Sequence, residues 1–244
     1  MMGILIGAWS TLALASAESD FSAANEALAR GDLAGAEAGY RGIVDAGMTD
    51  GDVYYNLGNV YFREDKVPAA ILAWRMAAIR LPRDPDVQAN LDFARRRVRD
   101  HLDVTYPHPW FAPWQVALTP DEAQWLGAGV AGLGLLLVAA RRRVPAAPVV
   151  GVGLTFLIVG LLVGGGGLVH GEAPPPAVVL APQVTVTSDL GGGVDLFTLH
   201  AGTEVETLEE AAGKILIRLP DNRRGWVDAA AVGLVDPDHP LPVL

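Results

Sequence analysis

Eight residues, Tyr54, Leu57, Gly58, Tyr61, Ala70, Trp74, Ala77 and Pro82, are spaced as a pair of antiparallel helices joined by a tight turn requires. Gly58 and Ala70 are small where the two helices must cross closely. Tyr54, Leu57, Tyr61 and Trp74 fill the space between them, and Pro82 cannot continue the second helix. Residues 51–84 read as one 34-residue repeat, and moving back by that length puts Gly31, Asp32, Ala36 and Tyr40 at the positions of Asp65, Lys66, Ala70 and Trp74. Residues 17–50 therefore read as a second copy, degenerate because Ala23, Ala24 and Ala27 replace Leu57, Gly58 and Tyr61, as suits a terminal repeat with no outer neighbour. Asp86 to Asp100 reads as a closing helix. Ala89, Leu91, Ala94 and Val98 are expected to cover the second copy, with Arg95, Arg96, Arg97 and Arg99 left in water.

Of 244 residues, 51% are hydrophobic, above the usual globular share, and the excess lies in three runs. Gly3 to Leu14 followed by Ala15-Ser16-Ala17 has the apolar core and small-x-small ending of a secretory signal peptide over residues 1–17, although its start lacks Lys and Arg. The alternative is a buried helix opening the repeat domain, residues 18–103. Residues 123–140 and 149–169 are uncharged and approach the length of a membrane span. After a juxtamembrane linker, 104–122, Thr119-Pro120-Asp121-Glu122 forms a capping box with Pro at the first helical position. Trp110, Trp114 and Trp125 would lie near one interface. The short loop 141–148 carries Arg141, Arg142 and Arg143, and basic loops stay cytoplasmic. That places both flanking segments outside the inner membrane, the side to which an N-terminal export signal also leads.

The alternative for these runs is a pair of buried helices in a water-soluble domain. Against it stand the absence of charge and the small-xxx-small pairs Gly160/Gly164 and Ala128/Gly132, which suit close helix contact in lipid. The glycine run 164–167 is not a phosphate loop, since no Lys-Ser or Lys-Thr follows it.

A linker at 170–177 leads to a different pattern. Val178 to Val186, Leu196 to Leu199, Thr203 to Leu208, Ile215 to Leu219 and Gly225 to Val227 read as five strands of a small barrel over 178–236, followed by a tail at 237–244. Trp226 has two readings, a ring filling the barrel end or a ring lining a ligand groove.

The repeat pattern resembles the tetratricopeptide family. The segment from Phe197 to Val205, followed by Gly225-Trp226-Val227, resembles the bacterial SH3 domain. The order of all the parts resembles the BatE-like family of the bacterial aerotolerance (Bat) operon. The fold class expected is thus a multi-domain membrane protein: an all-α tetratricopeptide solenoid, a two-helix transmembrane hairpin and a small all-β SH3-like barrel. The resemblance implies an accessory partner of von Willebrand A-domain membrane proteins, linked to oxygen or oxidative-stress tolerance. It also implies that the first helix of each repeat lines a groove, here presenting Asn25, Tyr55, Asn56, Asn59, Arg63, Asn90 and Arg97. The two-carboxylate clamp of chaperone-binding members is incomplete, because Phe21 and Asp86 stand where that clamp has Lys. For the barrel, Phe197 and Trp226 are the aromatics available to a groove.

Residue chemistry favours binding over catalysis. There is no Cys, and the five histidines, at 101, 108, 170, 200 and 239, nowhere share a helical ligand spacing. No catalytic residue, metal or cofactor is expected. Groove asparagines can pair with an extended peptide backbone, or only with neighbouring groups, and the arginines can take a carboxylate. From Gly171 onward eleven acidic residues face four basic ones, which disfavours nucleic acid and anionic lipid as partners of the barrel. The function expected is an inner-membrane scaffold, multi-pass, with both domains in the periplasm. The alternative is a cell-wall sensor whose barrel binds peptidoglycan.

Overall fold

The computed structural model describes residues 18–100, 102, 118–140, 147–170, 174–236 and 241. The signal peptide at 1–17, Trp110 and Trp114, the Arg141–Arg143 tip and most of the tail lie outside the described residues. The chain divides into two compact units, one formed by residues up to 104 together with 175 onward, the other by 105–174.

The first unit opens with five helices: α1 at 18–29, α2 (Leu33–Asp45), α3 (Gly51–Arg63), α4 (Val67–Arg80) and α5 (Pro85–Arg95). Aspartates begin three of them. Asp32, Asp50 and Asp84 each accept a hydrogen bond from a backbone N–H of the first turn, and Pro85 follows Asp84 where no N–H is needed. The α1–α2 and α3–α4 turns both pass through the left-handed region, at Gly31 (φ 80°) and at its repeat equivalent Asp65 (φ 62°). Tyr54, Leu57, Tyr61, Ala70, Trp74 and Ala77 are all buried. Trp74 donates its indole N–H to the Tyr55 carbonyl at 3.2 Å. A Cβ on Gly58 would come within 2.5 Å of the Trp74 ring, which explains the glycine.

Seven strands follow: β1 (Pro176–Val179), β2 (Gln183–Thr187), β3 (Asp195–His200), β4 (Glu204–Ala211), β5 (Lys214–Arg218), β6 (Arg224–Asp228) and β7 (Val232–Leu234). They form one antiparallel sheet in the order β3-β2-β6-β5-β4-β1-β7. The run read as a single strand from Val178 to Val186 is broken at Leu180-Ala181-Pro182 and gives both β1 and β2.

The expected fold class is corrected here. The helices and the sheet are not a separate all-α solenoid and a small five-strand barrel; they form one mixed α/β unit. Strand β1 carries the reason. Ala177, Val178 and Val179 are all fully buried, which a half-exposed barrel strand does not allow. Ala177 and Val179 face the sheet core, while Val178, with Val235 and Leu241, belongs to the core of the helices. Two glycines permit the close approach: a Cβ on Gly202 would lie 2.7 Å from Val98, and one on Gly233 would lie 2.6 Å from Leu72.

Polar contacts complete the junction. The half-buried Arg95, expected in water, donates to both Glu204 carboxylate oxygens at 2.6 and 3.2 Å. Arg75 Nε lies 3.2 Å from Glu204 Oε2, in a geometry that makes no hydrogen bond. Asp100 accepts from the His200 backbone N–H (2.7 Å) and the Thr203 hydroxyl (2.7 Å), and its other oxygen is 2.8 Å from His200 Nδ1.

In the second unit, α6 (Pro120–Ala140) and α7 (Ala147–His170) pack against each other. The capping box forms as its residue types require: Thr119 N–H donates to Glu122 (2.9 Å) and Glu122 N–H to the Thr119 hydroxyl (3.3 Å). Gly127, Gly134, Gly153 and Gly160 each sit where a Cβ would fall within 3 Å of the opposite helix, so the contact is backbone to backbone. Gly132 lies off this seam, with open space beside it. The expected pair of transmembrane spans is also corrected. Among the described residues one helix, Asp121–Ala140, is long and apolar enough to cross a membrane, while the apolar part of α7, Val149–Gly165, is shorter.

Candidate functional site

The groove residues come from α1, α3 and α5, with Arg97 just past the last of these. Asn25 Oδ1 accepts from the Tyr40 hydroxyl (2.6 Å) and from Asn56 Nδ2 (3.2 Å), and Asn59 Oδ1 accepts from Asn90 Nδ2 (3.1 Å). Both amide pairs have the same sequence separation, one repeat period less one helical turn, so successive equivalent helices meet with a one-turn stagger. The pairing leaves amide hydrogens on Asn25 and Asn59 and carbonyl oxygens on Asn56 and Asn90 for a ligand. Tyr55 is half-buried, and its carbonyl is committed to Trp74.

Arg63 ends α3 and is exposed, with no ion pair among the described residues. Arg97 stands at the same position one repeat later, just past the C-cap of α5. Its guanidinium lies 4.5 Å from the Phe62 ring centroid and 5.0 Å from that of Phe93. Phe62 and Phe93 meet edge to face at 5.6 Å, and Phe62 also tilts against Trp74 at 5.5 Å. Phe93 is 45% exposed, and Arg96 lies 5.5 Å over its ring. Sequence reasoning missed Phe62, Phe93 and Arg96. The signal was available: Phe62 and Phe93 have the sequence separation of the amide pairs and follow the same stagger.

The sheet residues separate. Phe197 on β3 lies opposite the buried Val186 and packs against the sheet core, with the Arg223 guanidinium 4.6 Å from its ring. Trp226 on β6 lies opposite Thr187 and Leu216, on the other face. There it lines an open cleft of about 560 Å³ with Gln183, Thr185, Thr187, Lys214 and Asp228. Phe197 and Trp226 thus share no groove.

Two junction groups titrate away from their ordinary values. Burial works against the charge on Asp100, but hydrogen bonds from Thr203 and His200, with the His200 charge, hold its carboxyl below the usual range. Burial likewise works against Arg95, and its hydrogen bonds to Glu204 and Asp92 outweigh it, raising the guanidinium above its ordinary value. Among the described residues no three His, Asp or Glu side chains cluster as metal ligands.

The fold and these surfaces define a mixed α/β unit with two separate candidate binding faces, attached to an apolar helical pair. No protein-family model matches the chain, and no curated protein matches it significantly.

Proposed function

We propose that the protein is a non-enzymatic envelope adaptor: an inner-membrane-attached accessory component of a Bat-type complex whose helical face holds a von Willebrand A-domain membrane protein. The observation that carries this reading is Arg63. A long cation at the end of α3 stands exposed and without an acidic partner among the described residues, beside amides that keep hydrogen-bonding capacity for an extended chain. Attachment through the apolar α6–α7 pair, entering and leaving on one side of the membrane, is supported by the uncharged run of α6, of mean hydropathy 1.7 and largely unburied. Because the chain on either side of 105–174 builds one core, the helices and the sheet occupy one compartment, proposed to be the periplasm.

Co-purification from detergent-solubilised membranes tests this. Wild-type protein should return A-domain membrane proteins, and Arg63→Glu should return at least tenfold less while keeping the wild-type melting curve. Unchanged capture by the variant would move the partner off this face; no A-domain protein with wild type would refute the adaptor reading. A second reading is favoured by the Trp226 cleft. A half-exposed indole among hydroxyl, amide and charged side chains suits a wall-derived glycan or peptide, so retention of purified wall fragments, lost in Trp226→Ala, would support an envelope sensor.

A further inference from the structure

From the end of α5 onward the chain carries four arginines among five residues, and they are not equivalent. Arg95 is spent on Glu204 and Asp92, and Asp100 is spent on His200 and Thr203. Arg96 and Arg97 have no carboxylate among the described residues; each instead has its guanidinium beside the Phe93 ring, at 5.5 and 5.0 Å. Arg97 also lies over Phe62, whose position is fixed by Trp74. A guanidinium held by an aromatic ring loses less rotamer freedom when it binds an anion, and its N–H edges stay available for a bidentate carboxylate. Two such cations flank a ring that is 45% exposed, an apolar surface next to paired charge in a chain of net charge −10.

We propose that Arg96, Phe93 and Arg97 form a pincer for a partner peptide, in which a carboxylate is clasped between the two guanidiniums and an adjacent apolar side chain covers Phe93. This deepens the adaptor reading and rests on it. An anionic lipid surface is the lesser fit, because lipid attraction needs many mobile cations, whereas here two are pinned against aromatic rings.

The test uses full-length protein in detergent and a fluorescein-labelled decapeptide of alternating Glu and Leu, with a Gln-for-Glu peptide as control. Wild type should bind the Glu peptide at least tenfold more tightly than the Gln peptide. Arg96→Gln with Arg97→Gln should remove at least tenfold of that affinity. Phe93→Leu, which keeps both charges but frees them, should weaken binding about threefold. Arg224→Gln, an exposed arginine on β6, should leave it unchanged. Equal binding of the two peptides, no binding of the Glu peptide, or an unaffected double variant overturns the pincer. So does binding to mixed phosphatidylcholine and phosphatidylglycerol vesicles that the double variant loses while the Glu peptide is ignored; that result would make the surface a lipid site. Failure here is distinct from failure of the adaptor reading. A double variant that still co-purifies A-domain proteins removes the pincer alone, whereas wild type that captures none removes the adaptor.

Discussion

Glu204 accepts the bidentate ion pair that joins the helices to the sheet, so Glu204→Gln is an informative perturbation of the junction. Its side chain is 15% exposed and takes two hydrogen bonds from Arg95, with Arg75 3.2 Å away. The amide keeps the shape of the carboxylate but removes the charge facing two guanidiniums whose side chains are 34% and 26% exposed. Breaking a fully buried ion pair from one side costs about 3–5 kcal/mol. Solvent reaches about a third of Arg95, which screens part of that, so the expected cost is about 2–3 kcal/mol. For a folding unit of roughly 150–250 residues each kcal/mol lowers the melting temperature by about 2–4 °C, giving a fall of roughly 5–10 °C.

The assay is differential scanning calorimetry of the full-length protein in detergent, with amide exchange of β4 followed separately. Glu209→Gln, exposed on the same strand, controls for loss of a negative charge and should shift melting very little. Adding Arg95→Met to Glu204→Gln should cost less than Arg95→Met does alone, because one stranded cation is then removed. The reasoning is refuted if Glu204→Gln melts within about 1 °C of wild type, or falls no further than Glu209→Gln.

Three further outcomes follow from the packing. Asp100 titrates below its unfolded range, so its contribution is complete above the unfolded value near ~4 and is lost as pH falls through the lower folded value; urea midpoints between pH 7 and pH 3 should fall less steeply in Asp100→Asn than in wild type, and parallel slopes would contradict this. Gly58→Ala puts a methyl group 2.5 Å from the Trp74 ring, and overpacking of about 1–3 kcal/mol should outweigh the ~1 kcal/mol of helix propensity gained; a stabilised variant by chemical denaturation would show that the crossing can open. Trp74→Ala should cost about 3–5 kcal/mol, and Trp226→Ala, with its ring in an open cleft, at least about 1 kcal/mol less; equal losses would mean that the β6 indole is a packing residue after all.

Local chemistry was legible, and contacts far apart in sequence were not. Tyr54, Leu57, Tyr61, Ala70, Trp74 and Ala77, which set most of the pattern, are buried in α3 and α4, and Thr119 and Glu122 cap α6 as their types demand, because period and capping act within a few turns of one helix. Fusion of the helices with the sheet left only faint marks. One is β1, where three adjacent apolar residues after a proline run read as the start of an ordinary strand although both of its faces are covered. Another is Gly202, which reads as a turn glycine but also makes room for Val98.

The contact of Arg95 with Glu204 is legible only in part from the sequence. In a run of arginines no residue is singled out by type, and its partner Glu204 lies on the far side of the α6–α7 unit in sequence. The helix itself does single one out. Val87, Leu91, Ala94 and Val98 define the covered face of the closing segment, and Arg95 falls one turn after Leu91 on that face, whereas Arg96 and Arg97 turn away from it. A cation on a buried face needs a buried anion. The same wheel therefore predicts a distant carboxylate for Arg95 and leaves Arg96 and Arg97, stacked on Phe93, as the pair free to meet one from another chain.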